Sequence, residues 1–385
     1  MQMIIYFIFV NFLSSVSMGV FLITLPWLIV KMQGANSLIA VSALAMIVLY
    51  VWRKKSGALV DAYPRGILFA SSMFLMSLCL AFLAFRPDNV ALMLGVFFFG
   101  QIYLFFYYVL RSAITREIVP TGQFGRYNGI LEIEGQVSTF VAGGLTAYLF
   151  EQDLASLPVI IGCAAMGMLV SGVFVFIKLN TSKPSEKRGD KPNDTASGNY
   201  TSTLLILSYC GSIPFICVML LNVIKPIVVV DVLQYPIEVL ALTSVFYTVG
   251  AIAAGLLGSQ RWIETASERV IFLMLVAFLA SCLLPAFIPS AAVLYLSSVI
   301  WGVSNGLSRI TWQTSAMNEI GSEQIGSFFA SVSAGVGVLR IGLLFGYWAA
   351  TALWGYQVSF IYLVVVCSVG LIIFSAKRQP KRMFE

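Results

Sequence analysis

Long apolar runs separated by short polar stretches organise this chain. Runs of about 20 residues, the length a helix needs to cross a hydrocarbon core, lie near 4–30, 38–60, 67–85, 90–111, 125–149, 157–177, 203–229, 237–259, 270–288, 291–311, 325–350 and 355–375. They predict an all-α membrane protein with twelve transmembrane helices. The one long polar stretch, NTSKPSEKRGDKPNDTASGNYTS (residues 180–202), has almost no large apolar residues and cannot bury a core, so it reads as a flexible cytoplasmic linker. It divides the chain into a first six-helix bundle (1–179), the linker (180–202) and a second six-helix bundle (203–385). The sequon NDT inside it carries no glycan on the cytoplasmic side.

Composition agrees with the runs. The chain is 59% hydrophobic and 10% charged, with a mean hydropathy of +0.92, where a soluble domain carries about 25% charged residues. No Lys or Arg precedes Lys31, so the first run reads as a retained helix and not as a cleaved signal. With the N-terminus in the cytoplasm, only Lys31, Arg86 and Lys225 of the 23 basic residues fall outside; setting aside Arg340, inside a helix, 23 − 3 − 1 leaves 19 on the inner side. This bias places both termini in the cytoplasm. It also accounts for the net charge of +6 without a nucleic-acid partner. Cys79, Cys163, Cys210, Cys217, Cys282 and Cys367 fall singly inside apolar runs and read as small core-filling residues, with no metal site expected. There is no histidine, so any proton chemistry has to use carboxylates.

An internal echo relates the two bundles. RSAITREI (111–118) aligns with QTSAMNEI (313–320), and QFGRYNG (123–129) with QIGSFFA (324–330), at offsets of 202 and 201. The repeats fall at the fourth to fifth and the tenth to eleventh runs, which predicts a duplicated, pseudo-symmetric six-helix unit.

The loop after the second run reads GALVDAYPRG (57–66). Gly57, Leu59, Asp61 and Arg65 fit the spacing G-x-L-x-D-x-x-x-R, and on these residues the chain resembles the major facilitator superfamily. Ala62, Pro64 and Gly66 stand where that family carries Arg, Gly and a basic residue. The resemblance implies that Asp61, with Gly57 and Arg65, forms a cytoplasmic gate docking near the start of the eleventh helix, where N–H groups and the helix dipole favour a carboxylate. A second stretch, residues 112–144, is similar to the helix four to five segment of the family's exporters. Gly135, Gly143 and Gly144 fit G-x-x-x-G-P-x-x-G-G, with Thr139–Phe140 in place of the central Gly-Pro.

Two acids interrupt the fifth run, Glu132 and Glu134. A charge near the middle of a membrane helix costs about 2.5–3.5 kcal/mol, so it is normally paired or wetted. Two positions apart on a helix is about 200° of rotation, so the two cannot share one cavity. Glu132 shares a stripe with Asn128, Gly135, Thr139 and Gly143, a close-packing face, and reads as the proton-coupling carboxylate. Glu134 is the second candidate, with a structural role favoured. Arg340, deep in the eleventh run, needs an anion, and Glu132 or an anionic substrate is the evident choice; a structural role is the alternative. Asn11, Tyr103, Tyr107, Trp301, Asn305 and Arg309 complete the candidate substrate site, and Lys225 is a weaker member. The string GVSNG (302–306) fits a hydrolase elbow only as text, since it lies mid-helix in a chain with no histidine; its glycines predict a packing face. No phosphate-binding G-x-x-x-x-G-K-[ST] occurs, so ATP does not drive transport directly.

The expectation is therefore a secondary transporter, not an enzyme, with no cofactor: a monomeric multi-pass protein of the inner (cytoplasmic) membrane working by alternating access. Proton-coupled export, or antiport, of an amphipathic drug-like compound or a secreted metabolite such as a siderophore is the leading reading. Import of a polar nutrient is the second, and a non-transporting receptor or scaffold a third.

Overall fold

In lipid every backbone N–H and C=O must be satisfied within the protein, and a helix does this inside one segment. The computed structural model is helical throughout its regular elements and describes residues 2–33, 35–151, 156–179, 201–229, 233–235, 237–260 and 266–378. In order these are α1 (Gln2–Gln33), α2 (Ala35–Ala62), α3 (Arg65–Phe85), α4 (Val90–Ile118), α5 (Phe124–Glu151), α6 (Leu157–Lys178), α7 (Ser202–Ile227), α8 (Ile237–Gly258), α9 (Ser267–Phe287), α10 (Ala291–Glu319), α11 (Ile325–Trp354) and α12 (Ser359–Arg378). The linker stretch 180–200 with its sequon lies outside the described residues. So do Lys183, Lys187, Arg188, Lys191, Arg261, Lys381 and Arg382 of the inner-side count.

Among the described residues, 11 helices are long and apolar enough to cross a membrane. The twelfth predicted span, α5, falls outside that set because Arg126, Asn128, Glu132, Glu134 and Gln136 dilute its apolar residues. Helix α7 breaks at Ser212, between Ser202–Gly211 and Ile213–Ile227. Pro214 causes this, since it has no N–H for the carbonyl four residues earlier.

The chain packs as two compact units. Unit 1 comprises Met1–Pro120, Glu134–Gly198 and Ile320–Gly335; unit 2 comprises Thr121–Ile133, Asn199–Glu319 and Val336–Glu385. The units depart from the bundle boundaries read from sequence at two places: the start of α5 packs within unit 2, and the start of α11 within unit 1. These two helices begin with the second of the two echoed stretches, 123–129 and 324–330.

In unit 1, α6 runs along α1 and α3, and α4 along α2 and α3. In unit 2, α10 packs on α7, α8 and α9, and α12 on α7 and α9. Helices α8 and α10 approach closely enough that a Cβ on Gly302 would strike the Tyr247 carbonyl, and one on Gly250 the Val299 carbonyl. The packing face predicted from GVSNG is therefore real. The core of unit 2 gathers Trp301, Phe278, Phe360, Leu363, Cys217, Cys282 and Cys367. The Cys217 and Cys367 sulfurs lie 3.6 Å apart without a bond. Cys163 corrects the core-filling expectation, because it is exposed.

Candidate functional site

Among the described residues, oppositely charged side chains meet inside the protein at three places. The first is the turn between α2 and α3, in unit 1. The Asp61 carboxylate accepts hydrogen bonds from the backbone N–H groups of Gly326 (2.8 Å) and Ser327 (2.8 Å) and from the Ser327 hydroxyl (2.6 Å). These N–H groups open α11 and have no partner inside the helix, so the acid caps it and meets the positive end of its dipole. Gly57 makes room, since a Cβ there would sit 2.5 Å from the Ser327 Cα. Arg65 lies 3.8 Å from Asp61 and 3.4 Å from Glu117, and donates to the carbonyls of Ala113 (3.2 Å) and Ser322. Arg116 donates to the Ile320 carbonyl at 3.4 Å.

The second place is centred on Glu134 in unit 1. Its carboxylate lies 3.6 Å from Arg111 of α4 and accepts the Ser138 hydroxyl at 3.1 Å. The Arg111 guanidinium stands 5.9 Å from the Tyr107 ring centre. Tyr107 donates to Asn11 Oδ1 at 3.0 Å and pairs with the Ser15 hydroxyl at 2.9 Å, while the Asn11 amide donates to the Phe7 carbonyl at 2.8 Å. Tyr103 adjoins the Tyr107 ring and donates to Met168 Sδ.

The third place is centred on Glu132 in unit 2. Its carboxylate lies 3.1 Å from Arg309 of α10. The Tyr247 hydroxyl, within electrostatic reach of both, accepts from the Asn305 amide at 2.6 Å. Asn128, one turn before Glu132, donates to the Thr314 hydroxyl at 3.0 Å. This segment of α5 lies against α8 so tightly that a Cβ on Gly129 would strike the Gly255 carbonyl.

The residues singled out from sequence thus fall into separate groups. Gly57, Asp61 and Arg65 gather at the first place. Asn11, Tyr103, Tyr107 and Glu134 gather at the second, and Asn305, Arg309 and Glu132 at the third. Trp301 stands apart, fully buried and stacked on Phe360 with ring centres 6.2 Å apart. Arg340 also stands apart: Arg309, not Arg340, holds Glu132, which corrects the partner expected from sequence, and the Arg340 guanidinium points at Met219 Sδ (3.6 Å). Lys225 is buried near the end of α7.

Sequence reasoning missed Arg111, counted as an inner-side charge although it is 7% exposed. A balance of intramembrane charge would have found it, because two acids in one helix call for two cations. Nothing in the sequence distinguishes Tyr247 from the other tyrosines.

Apolar crossing helices with arginine–carboxylate pairs built inside them define a multi-pass membrane protein of the transporter class. The sequence matches the family model of the Major Facilitator Superfamily over residues 7–339, and the chain belongs to that family. Its fold is similar to that of the human organic anion transporter MFSD10 (TETRAN), at 13% identity, TM-score 0.78, covering 97% of this chain and 99% of that one. It is also similar to a bacterial homologue of the iron transporter ferroportin in an outward-facing state, at 11% identity, TM-score 0.74, covering 98% and 99%. The E. coli fucose:proton symporter FucP follows at 14% identity, TM-score 0.68, covering 98% of each chain. Comparison with curated protein sequences returns no match.

Proposed function

We propose that the chain is a proton-coupled secondary transporter that exports an amphipathic small molecule by alternating access. The observation that carries this reading is the Glu132–Arg309 pair at 3.1 Å, with the Glu132 side chain 3% exposed. A carboxylate and a guanidinium held together in a low-dielectric setting form a two-state element. Protonation neutralises Glu132, releases Arg309 and removes the attraction tying this part of α5 to α10; proton loss restores it. Proton binding and substrate binding then compete, and inward proton flow drives substrate outward. Neighbours whose cargoes are as unlike as an organic anion, iron and fucose show that the fold alone does not choose the substrate. On the same reading, Asp61, Gly57 and Arg65 form the cytoplasmic gate, both termini lie in the cytoplasm, and the protein acts as a monomer in the inner membrane.

The test is efflux of a panel of amphipathic dyes and metabolites from proteoliposomes under an imposed pH gradient. Glu132→Gln abolishes gradient-driven accumulation and retains downhill exchange. Gradient-driven transport left intact in that variant removes Glu132 from the coupling role.

A further inference from the structure

Arg111, Arg309 and Arg340 are set into the interior faces of the helices. Glu134 holds the first and Glu132 the second. Arg340 has no carboxylate partner among the described residues; its polar contact is the Met219 thioether at 3.6 Å, a weak acceptor. It is the sixteenth residue of the 30-residue α11, which places it near mid-membrane. At 100° per residue, Val336, Leu343, Leu344 and Tyr347 lie on its side of the helix. Val336 is 7% and Tyr347 3% exposed, and Leu343 and Leu344 pack on the core of unit 2, so the guanidinium faces inward and not toward lipid. The lipid-exposed residues next to it, Val338 and Leu339, are on the other side.

An inward-facing guanidinium at this depth costs free energy unless an anion comes to it. We propose that Arg340 is the anion-binding point of a substrate site in unit 2, and that the cargo is an amphipathic organic anion. Its carboxylate, sulfonate or phosphate would displace the Met219 sulfur and take a forked pair of N–H donors. The flexible, polarizable thioether and the flanking leucines would receive the apolar body. The proposal rests on the transport reading only for the statement that the occupant is cargo.

Two probes of nearly equal shape separate charge from hydrophobicity: naphthalene-2-sulfonate, an anion, and naphthalene-2-sulfonamide, neutral. Their affinities are measured without any proton gradient on the full-length protein in phosphatidylcholine nanodiscs. Wild type is expected to prefer the sulfonate by roughly tenfold or more, the contribution of a charge-assisted contact. Arg340→Gln should lose that preference while binding the sulfonamide unchanged, and Arg340→Lys should keep part of it. Unchanged sulfonamide binding shows that the variant is folded. Absent or equal binding of the two probes to wild type overturns the proposal, as does a preference that survives Arg340→Gln. Competition by phosphatidylglycerol in the discs also overturns it, assigning the anion to a lipid headgroup. Because these affinities are measured without a gradient and proton coupling is read from flux under one, failure of the coupling and failure of the anion site are read separately.

Discussion

The Glu134 site in unit 1 and the Glu132 site in unit 2 use the same four residue types and differ in how far the arginine is enclosed. Each acid, two residues apart on α5, meets an arginine, and near each pair a tyrosine hydroxyl bonds an asparagine: Arg111, Tyr107 and Asn11 in one, Arg309, Tyr247 and Asn305 in the other. Around Glu134 several hydroxyls and amides take part. Ser138 donates to the acid, Ser15 meets Tyr107, and the Asn11 amide is anchored on Phe7. Each site also holds one buried oxygen with no hydrogen-bond donor among the described residues, Glu134 Oε2 in the first and Asn305 Oδ1 in the second, so the difference lies in exposure: the Arg309 side chain is 18% exposed against 8% for Arg111. An enclosed ion pair is costly to break, whereas a partly exposed guanidinium can change partner at lower cost. The difference favours Glu134 as a brace and Glu132 as a switch.

The largest test of that difference is neutralisation of each acid. Glu134→Gln strands Arg111 without its carboxylate in the interior, and breaking such a pair from one side costs about 3–5 kcal/mol. Glu132→Gln leaves an arginine that is already 18% exposed, so the loss is about 1–3 kcal/mol. Thermal unfolding of the purified variants should therefore show the larger drop in midpoint for Glu134→Gln. The reverse order would exchange the roles of brace and switch.

The sequence carried much of this and hid a definable part. Run length alone located the helices, because lipid permits few alternatives to a continuous helix. The 200° between positions 132 and 134 already separated the two acids. What spacing does not supply is the partner of each, which depends on contacts between segments far apart in the chain: Arg111 reads as a topology charge, and the anion for Arg340 stays open between Glu132 and a substrate, whereas the cation at Glu132 is Arg309. The Asp61 cap on α11 was approachable only through the family resemblance. The partial apolarity of α5 follows from the same acids that are proposed to carry its chemistry, so the helix of greatest interest is also the one that composition serves least well.

A smaller effect isolates each ion pair from the cost of stranding one member. In a double-mutant cycle the Arg111→Gln, Glu134→Gln variant should regain much of the stability lost by either change, with a coupling of roughly 2–3 kcal/mol. The Arg309→Gln, Glu132→Gln cycle should give about 1 kcal/mol, since partial exposure of Arg309 screens the pair even at the shorter distance. Equal couplings, read from unfolding midpoints in one detergent, would mean that distance outweighs exposure and would narrow the comparison to the hydrogen bonds alone.

The smallest effect concerns those hydrogen bonds. Tyr107→Phe removes a hydroxyl that serves both Asn11 and Ser15, and Asn11 is fully buried, so its Oδ1 loses a donor that water cannot replace. The cost is about 1–2 kcal/mol in stability. Tyr247→Phe deprives the Asn305 amide of one acceptor, at the more exposed of the two ion pairs, and costs about 0.5–1 kcal/mol. Function should rank the two the other way. The Tyr247 hydroxyl stands within electrostatic reach of Glu132 and Arg309, so its removal alters the setting in which the proton binds and shifts the pH dependence of gradient-driven flux. Tyr107→Phe should leave that pH profile in place once the fraction of folded protein is taken into account. A pH profile that moves with Tyr107→Phe and stays fixed with Tyr247→Phe would place the proton at Glu134, because only the Glu134 network contains the Tyr107 hydroxyl.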